Sequence, residues 1–126
     1  MRIVIETEAT GPVLAELDSE RCPKTVTAIQ KALPIEAVAR RWGEEVYFEV
    51  PAVVEPEAPV ELVATGDLGY WPPGQAMCIF FGPTPASRSP GEIRPASPVN
   101  PIGRVLSDPK VFSKVRDGDR IVVRAA

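Results

Sequence analysis

Five groups of side chains in this 126-residue chain have types and spacing that suit chemistry or binding. Tyr70-Trp71-Pro72-Pro73-Gly74 sets two aromatic rings beside two prolines. Such rings can form an apolar ligand wall or a shelf for a peptide, and they can equally cap a core. Arg40-Arg41-Trp42, with Glu44, Glu45 and Glu49, brings cations and carboxylates onto the arms of a hairpin. Arg41 and Glu49 facing each other would form a cross-strand ion pair. Enclosed, that pair could hold a polar ligand or move a proton; on the surface it is worth little. Cys78 lies in an apolar run with no cation near it in sequence, so it reads as a buried, inert thiol. Cys22 precedes a helix start, where a thiolate is better stabilised. Arg88, Arg94, Ser97 and Asn100 sit on a proline-stiffened loop and could grip an anionic group or a partner chain, or simply face solvent. Glu55, Glu57 and Glu61 read as a solvated acidic stripe.

Composition narrows what these groups can do. There is no histidine, so no Ser-His-Asp or Cys-His arrangement and no imidazole-held metal can be built. Two cysteines cannot supply a four-thiolate zinc site; no metal and no cofactor is expected. Seventeen acidic against 14 basic side chains leave a net charge of −3, with no long-range pull toward nucleic acid or anionic lipid. The length predicts one domain, residues 1–126. Met1 to Glu6 does not read as a signal peptide, and no apolar run approaches the roughly 18 residues that span a bilayer. The expected location is the cytoplasm, where both cysteines stay reduced. Asn100 is the only asparagine, and Gln30 and Gln75 are the only glutamines. That depletion fits a thermophile, in which a Cys22–Cys78 bridge would also be admissible.

The elements that must position these residues are mostly short strands. Residues 2–8 and 13–17 read as a hairpin turning at Thr10-Gly11-Pro12. Pro23 opens a helix over 23–33, with Val26, Ile29 and Leu33 on one stripe, and Pro34 ends it. Residues 35–41 and 45–50 form a second hairpin around Trp42-Gly43; Val46, Phe48 and Val50 alternate with polar neighbours. Strands are expected near 60–64 and over 68–71, with Pro72-Pro73-Gly74 breaking the chain. Residues 76–81 are the most apolar run and read as a central strand. Residues 82–101 hold six prolines and form the longest irregular segment. A strand at 102–106, a short helix from Pro109 to Val115 with Asp108 as its N-cap, and a last strand Arg120–Arg124 complete the pattern.

These residues resemble a known family. Glu16-Leu17 followed by Cys22-Pro23-Lys24-Thr25-Val26 is similar to the "L…APKTV" opening of cyclophilins. Gly74-Gln75-Ala76-Met77-Cys78-Ile79 sits where they carry "GSQFFI". Gly82-Pro83-Thr84-Pro85 resembles their "GPTP" step, and Ile102-Gly103-Arg104-Val105 their "FGRV". Gly66-Asp67, Tyr70 to Gly74 and Cys78 to Pro85 are similar to a small archaeal and bacterial group of cyclophilin-like proteins without a settled activity. The resemblance implies a mainly β fold: a closed eight-stranded cyclophilin-like β-barrel with two short capping helices.

Cyclophilins are peptidyl-prolyl isomerases whose central arginine, in an "FHRV" strand, donates hydrogen bonds to the carbonyl of the substrate proline. Here the matching stretch is Tyr47-Phe48-Glu49-Val50, which puts Glu49 at the arginine. A carboxylate accepts rather than donates. The resemblance further places Ala76 at the family's glutamine, Cys78 at its pocket phenylalanine and Val99 at its pocket histidine. The leading expectation is therefore binding without catalysis, of a small molecule or a proline-containing peptide, in a remodelled barrel-face pocket. Its candidate ligand-binding residues are Arg41, Glu49, Tyr70, Trp71, Gln75, Cys78 and Arg94. Weak or altered isomerase activity is the alternative. A third reading is an assembly role, with Tyr70–Pro73 or the 82–101 loop buried in a homodimer.

Overall fold

The structure is a computed structural model that describes residues 1–126. Its first hairpin is β1, Arg2–Thr7, with β2, Gly11–Leu17. Both strands alternate strictly: Ile3, Ile5, Val13, Ala15 and Leu17 point inward and are buried. Helix α1, Pro23–Ala32, follows with proline at its start, burying Val26 and Ile29 against one barrel end. Cys22 offers its first turn no side-chain cap. Glu57 supplies one from the connection instead, its carboxylate accepting the Lys24 and Thr25 N–H groups at 2.9 Å each and the Thr25 hydroxyl at 2.8 Å. The expected solvated stripe Glu55–Glu57–Glu61 is corrected at its centre: Glu57 is a helix cap.

Seven further strands complete one sheet. They are β3 (Ile35–Val38), β4 (Arg40–Arg41), β5 (Glu45–Glu49), β6 (Asp67–Trp71), β7 (Ala76–Phe80), β8 (Asn100–Val105) and β9 (Arg120–Ala125). The order is β3-β9-β1-β2-β8-β6-β7-β5-β4, and every pairing is antiparallel. The two edges, β3 and β4, are consecutive in the chain and separated only by Ala39. Ala39 donates its N–H to the Asp119 carbonyl (2.8 Å) and accepts from Gly118 N–H (2.9 Å), next to β9, before the chain crosses to β5. One continuous segment thus serves both edges, and the barrel closes through it. Nine strands by hydrogen bonding become eight when 35–41 is read as a single run that changes partner.

Two expected elements take another form. Residues 60–64 are not a strand of the barrel. They make only two isolated bridges, Val60 with Val99 and Val63 with Ile93, and form a strap outside the sheet. Pro59 and the exposed Glu61 and Leu62 suit a covering segment better than a ladder. The second helix is a 3-10 turn, Pro109–Lys114, capped by Asp108 accepting from Lys110 N–H at 3.0 Å. Six residues that bury Phe112 alone do not need an α-helix.

The barrel encloses the main core, while β7 is buried on both faces. On its outer side Cys78 and Phe80 meet Ile93 and Val99 in a second apolar layer held down by the strap. No helix is long and apolar enough to cross a membrane.

Candidate functional site

Period-two geometry on β5, β7 and β6 builds the site. Register places Glu45 opposite Phe80, then Tyr47 beside Cys78 and Gly69, then Glu49 beside Ala76 and Trp71. These three rungs share the outer face. Arg40, paired with Tyr47, joins the second rung. The positions assigned through the resemblance, Glu49, Ala76, Cys78 and Val99, therefore gather on one side of the sheet. Val99 comes from the covering loop and fits over Gly69, where an added Cβ would stand 2.9 Å from the Val99 methyl.

Between that face and the covering loop runs a groove of about 200 Å³. Its aromatic walls are Trp42, Tyr47 and Trp71, its far side is Pro95, Ala96 and Val99, and its one ionisable acid is Glu45. Trp71 is fixed from two directions. Its indole N–H donates to the Ser97 hydroxyl at 2.6 Å. Its ring lies against Gly74, where an added Cβ would come within 2.4 Å of the indole. Trp71 and Tyr47 also border a second depression of about 480 Å³, lined by Arg40 and Glu49 among others. They stand as a ridge between the two.

Glu45 is only 6% exposed. None of the four ion pairs in the molecule includes it. Burial pushes its carboxyl up to about 7, and the Cys78 thiol next to it offsets only part of the cost. The same desolvation, with Glu45 beside it, drives the Cys78 thiol well above its ordinary range. Cys78 is thus an unreactive wall behind the groove. Both cysteines are free, and both are buried.

The other expected site residues are spread over the molecule. Tyr70 neighbours Trp71 in β6 and so faces the opposite way, into the core, with no exposure. Its hydroxyl donates to the Ala52 carbonyl at 2.6 Å and accepts from Val54 N–H at 3.1 Å. It cannot wall the groove or meet a second subunit. Arg41 makes no pair with Glu49. It lies opposite Val46, three positions from Glu49 and on the other face. Its guanidinium donates to the carbonyls of Gly43, Ser113 and Val115 and sits 5.0 Å from the centre of the Phe81 ring. It pins the barrel end. Gln75 adopts a left-handed conformation after the Pro72–Gly74 turn and donates its amide to the Val50 carbonyl at 2.9 Å.

In the covering loop, Arg94 is held by Glu92 through two bonds, at 3.0 and 3.2 Å, and is not free to grip an anion. Asn100 is not a loop residue. It opens β8 and is fully buried, joining Thr25, Glu55 and Glu57. Of the expected set, only Trp71 lines the groove, Glu49 lines its neighbour, and Cys78 is buried behind the wall.

In sequence, Trp42 and Glu45 read only as members of a charged hairpin. The available signal was parity: Glu45 shares a face with Tyr47 and Glu49. Its burial comes from Pro95 and Val99, some fifty residues away in sequence. The largest depression, about 830 Å³, lies elsewhere and is lined mainly by charged side chains. Arg120 and Arg124 there already pair with Glu36 and Glu6, so it offers no comparable site. No group of three His, Cys, Asp or Glu side chains is placed to hold a metal.

Comparison with known proteins agrees with this architecture. A family model described as Cyclophilin-like matches residues 1–124. The solution structure of the hypothetical protein AF2241 from Archaeoglobus fulgidus is 44% identical, with a TM-score of 0.85 over 100% of this chain and 95% of that one. No curated protein matches.

Proposed function

Starting from the chain's membership of the cyclophilin-like family, we propose that it is a binding protein that uses the outer-face groove for a small ligand and does not isomerise proline by the arginine-dependent route. The observation that carries this reading is the convergence of Trp42, Tyr47 and Trp71 around a single buried acid. A concave, mostly apolar wall with one well-placed polar group is the usual make-up of a small-molecule site. Trp71 is held in place before any ligand arrives, which lowers the ordering cost of binding.

Two features support the negative half. At the arginine position stands Glu49, exposed and unable to donate to a carbonyl. Cys78, at the pocket phenylalanine, lies beneath Tyr47 and Val99 instead of lining an open hole.

The test is a fragment titration followed through the two tryptophan indole N–H signals. Compact aromatic or alkyl fragments should shift Trp42 and Trp71 together, and Trp71→Leu should weaken them about tenfold or more. A panel that leaves both indoles unmoved would remove the proposal. A protease-coupled assay on an Ala-Pro peptide should stay at background at high protein concentration. A clear rate there would return isomerisation to the lead.

A further inference from the structure

We propose that the ligand of this groove carries a methylated or otherwise alkylated ammonium group, with Trp42, Tyr47 and Trp71 facing its alkyl surface and Glu45 supplying the opposing charge. This rests on the binding role above and specifies its ligand chemistry.

Glu45 is a buried carboxyl that has no cation. Taking a carboxylate out of water without a partner is costly, and proteins ordinarily pair such a group or leave it protonated. Around Glu45, the surrounding elements supply no positive charge. Its own strand offers Tyr47 and, farther along, Glu49; β7 offers the Cys78 thiol. The covering segment contributes Pro95, Ala96 and Val99. Arg40 lines the depression beyond the ridge, and Arg94 is engaged by Glu92. A cation must come from outside.

The walls decide which cation. A hard cation such as Mg2+ or Ca2+ needs about six oxygen ligands, no group of three His, Cys, Asp or Glu side chains is placed to hold any metal, and a primary ammonium needs acceptors for three N–H groups. The groove offers the Glu45 carboxylate and the Tyr47 hydroxyl among its side chains and is otherwise aromatic and aliphatic. An alkylated ammonium has no such demand. Its charge is spread over carbon, its surface is apolar, and aromatic faces attract it. The volume of about 200 Å³ lies below the roughly 300 Å³ at which drug-sized pockets begin, which suits a compact head group. An anion would meet Glu45 with no cation in the lining to compensate. A neutral apolar group would cover the acid without satisfying it. Because burial holds the Glu45 carboxyl near 7, the binding form of the site gains population through neutrality.

The experiment titrates choline, tetramethylammonium and dimethylbutanol, the neutral carbon isostere of choline, into the protein, following the Trp42 and Trp71 indole signals. At about pH 8 choline should bind about tenfold or more tightly than its isostere. At about pH 6, where a carboxyl of pKa about 7 is mostly protonated, choline should weaken by close to tenfold while the isostere stays constant. Glu45→Gln, with folding checked by its urea midpoint, should abolish both the preference for choline over its isostere and the pH dependence. Trp71→Leu should weaken choline and isostere alike. Equal binding of choline and isostere at both pH values would overturn the cation assignment and leave the binding role standing. If neither these probes nor any neutral fragment moves the indoles, both proposals fall.

Discussion

Glu45→Gln should stabilise the protein above neutrality and do little near pH 5. The carboxyl titrates at 4.5 in its ordinary state and at about 7 in the fold. The folded chain therefore holds this proton more tightly than the unfolded chain, and stability must fall as pH rises from about 4.5 to about 7. A displacement of that size carries about 3 kcal/mol once the group is ionised in both states. Near pH 5 the folded carboxyl is still protonated, and the penalty is below about 1 kcal/mol. Glutamine matches the shape of the protonated acid and has no charge to lose. The variant and the parent should thus lie close together at pH 5 and separate by about 2 kcal/mol more at pH 8. At a urea slope of about 1–3 kcal/mol/M, that is a midpoint difference of about 1–2 M. Urea melts of both proteins at four pH values give the measurement. A difference that does not change with pH, or a glutamine variant less stable at pH 8, would refute the premise that Glu45 is buried without a cation. Choline at saturating concentration should shrink the gap, because it binds only the native state and favours the charged acid.

Three further outcomes follow from the geometry. Tyr70→Phe deletes the hydroxyl that serves Ala52 and Val54 inside the core and should cost about 1–3 kcal/mol, read from urea melts, without shifting fragment affinity. Asn100→Ala strands the Glu57 N–H and the Glu55 carbonyl and loosens Thr25; a loss of at least about 2 kcal/mol is expected, and a change under about 0.5 kcal/mol would contradict the buried junction. Neither cysteine should react with a disulfide reagent in the native protein at pH 8, and both should react in urea. Burial pushes both thiols up, and each is at most 1% exposed.

Local pattern carried most of the fold. Alternation in Ile3-Val4-Ile5 and in Val46-Tyr47-Phe48 fixes which side of each strand is buried, and Pro23 and Pro34 bracket α1. What pattern does not carry is the identity of the neighbour. Residues 35–41 read as one strand; the change of partner at Ala39 depends on Asp119 and Val46, which local spacing does not reveal. The 60–64 segment has strand-like residues, yet it lies over the sheet, because β8 already occupies the free side of β6. The site suffered similarly. Tyr70 and Trp71 read as one aromatic pair, although adjacent strand residues face opposite ways, a constraint the sequence does contain. Arg41 and Glu49 likewise differ in parity once Arg41 is set opposite Val46. Glu45 is the case that no local rule reaches, since its cover is supplied by a loop distant in sequence.

The position of β9 bears on how the molecule is made. This strand lies between β1 and β3, hydrogen-bonded to both, although it is the last of the barrel to leave the ribosome. During synthesis, the first two hairpins emerge with a slot between them that only β9 can fill. Until then β1 and β3 present open backbone edges that could recruit another nascent chain. The pairing of Ile35 with Val123 and of Ile3 with Ala125 makes closure a long-range event, slow by the measure of loop entropy. Expression lacking β9 should therefore give insoluble chains rather than a smaller barrel, and a pulse-labelled chain should gain protease resistance only once β9 has emerged from the ribosome.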